Sequence, residues 1–141
     1  MLFRSGLGNQ FLSNIRECDA IIHVVRCFDD PNVVHVDGQV NPVRDKETID
    51  TELQLKDLDS VEKKIGRMEK MAKAGGDKDA QKCIEALRTF KQHLEQGKPA
   101  RSAPVQEEDF RFIADIFLLT AKPVLYVCNV DEGSEIGRAH V

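Results

Sequence analysis

What this sequence lacks narrows its chemistry first. Its four cysteines, at 18, 27, 83 and 128, include no Cys-x-x-Cys pair. That spacing argues against a zinc site and a disulfide framework, so a reducing cytosol is the expected compartment. Cys27 and Cys128 lie in apolar runs and Cys83 on a helical seam, so all three are expected in the core. His23, His35 and His93 have no partners at metal-ligand spacing, and structural roles are expected for them. No apolar run approaches the roughly 20 residues that span a bilayer, and no stretch has a signal-peptide pattern. Gly6-Leu7-Gly8-Asn9 precedes a helical segment, but no Lys-Ser or Lys-Thr follows it and no strand precedes it in the chain. It is therefore a helix entry and not a Walker-type phosphate loop.

What is present suits a globular chain, one domain or pieces of two, with 41% hydrophobic and 31% charged residues. The net charge of −4 is unevenly spread. Residues 61–101 hold eleven Lys/Arg against six Asp/Glu, and the remainder nine against eighteen. Such asymmetry predicts that the basic segment meets a different partner from the rest.

The two ends read differently from the middle. Leu2-Phe3-Arg4-Ser5 can be encoded as ctc ttc cga tct, and Glu135 to Val141 as gag atc gga aga gca cac gtc. The first string is the reverse complement of agatcggaagag, which lies within the second, and that string looks like a sequencing-library adapter. Residues 1–5 and 135–141 are therefore set aside, with natural sequence expected from about Gly6 to Ser134.

Three zones follow, 6–30, 31–105 and 106–134. The first holds a short helix, Asn9 to about Glu17, and the run Ala20 to Phe28, whose β-branched density predicts a strand buried on both faces. The second is helical. A long helix is expected from about Asp45 to Ala74, where Leu58, Val61, Ile65, Met68 and Ala72 recur at heptad spacing. Ala74-Gly75-Gly76-Asp77 supplies a stop and a new N-cap. The next helix, about Asp77 to Gln96, carries Ala80, Cys83, Leu87, Phe90 and Leu94 at the same spacing. Two matching seams predict an antiparallel hairpin, an arm of roughly 40 Å at 1.5 Å per residue. In the third zone a helix from about Gln106 to Leu119, with Phe110, Ile113, Ala114 and Phe117 on one face, precedes a second two-face-buried strand, Pro123 to Val130. The whole is an α/β chain, an enlarged βαβ crossover in a parallel sheet.

Ligands of open parallel sheets bind beyond the carboxyl ends of the strands. The second strand ends at Asn129-Val130-Asp131-Glu132. A carboxamide there can both donate to and accept from a purine edge, and a nearby acid can accept from ring N–H groups. The same residues also suit an ordinary strand-to-loop exit.

Several strings, in order, give the chain a wider resemblance. Gly6-Leu7-Gly8-Asn9-Gln10-Phe11-Leu12, Asn14-Ile15-Arg16, His23-Val24-Val25-Arg26-Cys27-Phe28, Val34-His35-Val36, Asp57-Leu58-Asp59, Gly97-Lys98-Pro99-Ala100-Arg101 and Lys122-Pro123-Val124-Leu125-Tyr126-Val127 closely resemble the Obg-like ATPase (YchF) family of P-loop NTPases. The resemblance implies a parallel-sheet NTPase (G) domain with a coiled-coil arm inserted at 31–105. It implies that Asn129-Val130-Asp131-Glu132 occupies the base-recognition motif in an Asn-x-x-Glu form that favours ATP. Asn129 and Val130 would line the adenine pocket, with Glu132 as the acidic member and Asp131 facing solvent. The family's P-loop, Mg²⁺ ligands and switch II Asp would lie upstream of Gly6, and its TGS-type domain downstream of Ser134. On that reading the chain is inactive alone, and the parent is a redox-responsive, ribosome-associated ATP hydrolase of the cytoplasm. Lys63, Lys64, Arg67, Lys70, Lys73, Lys78 and Lys82 would then meet ribosomal RNA phosphates, or form a solvated helical face. Two other readings are a helical interaction module without nucleotide chemistry, and a GTP-binding protein. The latter usually carries Asn-Lys-x-Asp, which is not what stands here.

Overall fold

The computed structural model describes residues 8–30, 32, 38–75 and 78–133. Expectations placed on Gly6, Val34-His35-Val36, Gly76, Asp77 and both terminal segments lie outside the described residues. Helix α1 spans Asn9–Arg16, strand β1 Ile21–Arg26, helix α2 Pro42–Ala74, helix α3 Lys78–Glu95 and strand β2 Val124–Asn129.

Helix α2 begins three residues earlier than its periodicity predicts. Asn41 caps it, accepting from the Arg44 N–H at 3.0 Å, and Pro42 takes the first turn, where its missing N–H has no intrahelical acceptor to lose. Helix α3 ends on Gly97, whose φ of 74° is left-handed. The Gly97 N–H donates to the Leu94 carbonyl and the Lys98 N–H to the His93 carbonyl, the paired bonds of a Schellman stop. The two heptad seams meet as expected. Val61 of α2 packs with Cys83, Leu87, Phe90 and Leu94 of α3, flanked by Leu58, Ile65 and Met68. Glu69 pairs with Arg88 and Glu62 with Lys91, an order that runs one helix against the other.

The segment after α3 differs from expectation. Instead of an α-helix over 106–119, residues Glu107–Ile113 form a 3₁₀ helix and Leu119–Ala121 another. The amides of Asp109, Ala114 and Ile116 each reach back three residues, to Gln106, Arg111 and Ile113. A three-residue repeat stacks Phe110, Ile113 and Ile116 on one side, and all three pack on the α2–α3 core. Ala114 and Phe117 turn outward, and Phe117, at φ 48°, breaks the helical path. Tertiary packing against α3 has overridden a helical pattern; Phe110 meets Phe90 edge-on, with ring centroids 5.4 Å apart.

The strands pair in parallel, Ile21 opposite Val124 through Arg26 opposite Asn129. Burial on both faces is not observed among the described residues. Val25 is buried and His23 and Tyr126 half-buried on the side facing the helices, while Ile22 (66% exposed) and Leu125 (61%) face outward with Val24 and Val127. The alternation follows from the two-residue period of a strand with one covered face. Nor are all three cysteines in the core: Cys83 is buried, Cys27 half-buried and Cys128 exposed, because the last two sit where the sheet ends.

Candidate functional site

Asn129 closes β2 at the carboxyl end of the parallel pair. The Cys27 N–H donates to its carbonyl at 2.8 Å, which fixes the backbone, while its side chain is exposed. Val130, Asp131 and Glu132 are exposed beside it. A held main chain with an open carboxamide and a nearby carboxylate offers both hydrogen-bond donors and acceptors at this corner. Cys27 and Cys128 adjoin Asn129; burial, then a hydrogen bond with the Cys128 thiol, raises the Cys27 thiol above its usual value.

Beneath the strand lies a polar set that the sequence reading gave no role. Tyr126 donates its hydroxyl to Asp50 at 2.9 Å. Lys46 donates to the same carboxylate at 2.5 Å and lies over the Tyr126 ring at 4.4 Å, so Asp50 raises the Lys46 ammonium above its usual value. His23 stands beside Tyr126, with ring centroids 5.5 Å apart. Burial lowers its imidazole; nearby Lys46 adds to the effect and Asp50 opposes it.

The turn that feeds β2 is fastened on several sides. The Asp57 carboxylate of α2, fully buried, accepts from the Leu119 and Thr120 amides, each at 2.7 Å, and from the Thr120 hydroxyl at 2.6 Å. Thr120 Oγ1 in turn accepts from the Ala100 N–H, and Arg101 donates to the Thr120 carbonyl at 3.2 Å. Lys122 donates to the Arg16 and Cys18 carbonyls, and Arg16 to the Phe117 carbonyl at 3.0 Å. Leu12 of α1, Leu53 of α2 and Leu119 pack together below this turn.

On the hairpin, Lys63, Arg67, Lys70, Lys73, Lys78 and Lys82 are exposed. Lys63 pairs with Asp59 at 2.7 Å; the other five make no ion pair among the described residues. Lys64 is a correction to the expected basic face. It is buried, donates to the Phe112 carbonyl at 2.6 Å and pairs with Asp115. Its place on α2 turns it inward, onto the 3₁₀ segment. The described residues hold no group of three His, Cys, Asp or Glu side chains that could take a metal ion.

No protein-family model matches the chain. Similar curated proteins do. Over 127 residues it is 52% identical to the ribosome-binding ATPase YchF of Bacillus subtilis (strain 168), covering 90% of this chain and 34% of that protein. Obg-like ATPase 1 of Oryza sativa subsp. indica is 46% identical over 127 residues, covering 90% of this chain and 32% of the relative. A solved structure of the Schizosaccharomyces pombe YchF GTPase superposes with a TM-score of 0.79 at 38% identity, over 90% of this chain and 35% of that one. The chain belongs to the Obg-like ATPase (YchF) family.

It spans about a third of the length of the relatives it matches. The P-loop NTPase-type α/β fold of the family accounts for the parallel pair. The strings that carry the YchF resemblance include Asp57 and Arg101, but similarity alone gave them no role. A signal was present: Leu53, Asp57 and Val61 follow one another at four-residue steps, which places an acid in an apolar stripe.

Proposed function

We propose that the protein to which this chain belongs is a ribosome-associated, ATP-binding and ATP-hydrolysing member of the Obg-like family. The chain supplies its base-recognition corner and its arm. The observation that carries this is the exposed Asn129 side chain at the end of β2, on a backbone held by Cys27. Asn129 and Val130 face the adenine and Glu132 is the acidic member. Asp131 points to solvent. The β- and γ-phosphates and Mg²⁺ belong to a P-loop elsewhere in the parent, which supplies the charge neutralisation that phosphoryl transfer requires. Residues 8–133 alone are therefore inactive.

The helical segment within 31–105 is an inserted coiled-coil arm, and its exposed cations, Lys63, Arg67, Lys70, Lys73, Lys78 and Lys82, meet ribosomal RNA phosphates. A redox response of the whole protein is part of the same proposal, but the Cys27 thiol, raised above its usual value by burial and by Cys128, is not a thiolate that would carry it. Cytoplasmic residence accords with ribosome association; among the described residues no helix is long and apolar enough to cross a membrane. GTP is the second reading, favoured by the description of the Schizosaccharomyces pombe protein as a GTPase.

Titration of ATP and GTP against a full-length family protein carrying this segment tests both. ATP binding that Asn129→Ala weakens about tenfold, as expected for losing base hydrogen bonds, supports the reading. GTP binding tighter than ATP would transfer the site to guanine.

A further inference from the structure

We propose that Asp57 is a positioning residue for the base-recognition corner: its carboxylate fixes the entry of β2 to the hairpin, so that the seat of α2 sets where Asn129 stands. This rests on the assignment of Asn129 to base recognition. Asp57 is the only charged residue among the largest fully buried side chains of the described chain. A carboxylate in such a place is unfavourable unless its oxygens are filled, and both are, by three donors from Leu119 and Thr120.

The donors are not on α2 or its partner helix. They belong to the last turn before the strand, four residues ahead of Val124 at Thr120. From there the chain runs straight to Asn129, because Ile21 donates to the Pro123 carbonyl at 3.0 Å and every β2 residue is then in register with β1. A strand advances about 3.3 Å per residue, and β2 pairs without a bulge from Val124 to Asn129, so a shift at its entry moves the strand as a unit. A shift of the turn therefore appears at Asn129, where misplacement by roughly 1 Å is costly to a site that depends on orientation.

The same turn is gripped by Arg101 from the loop after α3 and, through Lys122 and Arg16, by the end of α1. Helix α2 carries both the latch at Asp57 and, beyond it, the exposed Lys63, Arg67, Lys70 and Lys73. One rigid element thus joins the face that meets an anionic partner to the corner that reads the base. An amide cannot replace the carboxylate. Asparagine accepts on one oxygen only, and in either orientation its NH₂ would confront a Leu119 or Thr120 donor.

Hydrogen exchange of the whole chain, compared between Asp57→Asn and the parent sequence, tests the latch. Amides of 119–129 should exchange about tenfold faster, the loss of a hydrogen bond to a charged group, with those of α3 unchanged. Unchanged exchange in β2, or equal loss throughout α3, overturns it. Thr120→Val, which keeps the shape but removes one donor to Asp57 and the acceptor of the Ala100 N–H, should give the same pattern in 119–129 if Asp57→Asn does not fold.

The second arm uses a full-length family protein carrying this segment, titrated with ATP and with inorganic tripolyphosphate. Asp57→Asn should weaken ATP about tenfold and leave tripolyphosphate unchanged, since only the base corner moves. A parallel loss of both marks a general structural role and overturns the proposal. Asn129→Ala with unaltered ATP affinity overturns the base-recognition reading instead, and the exchange arm still decides the latch.

Discussion

Buried titratable groups give this chain a pH response that single residues explain. Burial holds the imidazoles of His23 and His93 below their ordinary value of 6.5. Lys46 adds to that at His23 and Lys98 at His93, while Asp50 opposes it at His23 and the Pro99 backbone at His93. The unfolded chain then takes up protons that the folded chain resists, so stability falls as pH drops below about 6.5 toward the lowered folded values. Urea melts at neutral pH and one unit below that value should show the loss, and His93→Gln, which keeps a partner for Ser102 Oγ at 2.8 Å, should reduce it. Asp57 acts in the opposite sense at lower pH. Burial raises its carboxyl despite the hydrogen bonds from Thr120 and Leu119, so its contribution improves on acidification from the folded value down through the usual carboxylate range and is lost as pH rises through that window.

Among elements, α2 and α3 pack along their apolar seams. Leu87 is completely buried between α2 and the 3₁₀ segment, and Leu87→Ala should cost about 2–5 kcal/mol, the usual range for a leucine cavity, as read from chemical denaturation. Gly97→Ala tests the helix stop. Space is available, with Gln54 Oε1 4.0 Å from an added Cβ, so the cost should be the left-handed backbone alone, about 1–2 kcal/mol. The α2–α3 pair was legible in the sequence because each seam keeps its heptad spacing over several turns, and a period that long has few structural alternatives. The return segment was not legible. Its apolar residues fit an α-helical face almost as well as a 3₁₀ ladder, and packing against Phe90 and Lys64 decides between them.

At the scale of the molecule, charge and topology are arranged along α2. In a full-length family protein carrying this segment, reversing Lys70, Lys73 and Lys82 to Glu should weaken ribosome co-sedimentation and flatten its dependence on salt, because each phosphate that is no longer neutralised lowers the logarithmic slope by about one unit. Binding indifferent to both salt and reversal would count against the RNA reading. By itself the sequence determined the two heptad seams and the two strand segments, since each is a local pattern of period or composition. Only the tertiary structure decided that Lys64 turns inward and that Asp57 holds the entry to β2. Those outcomes depend on partners 48 to 63 residues away, which no local period encodes.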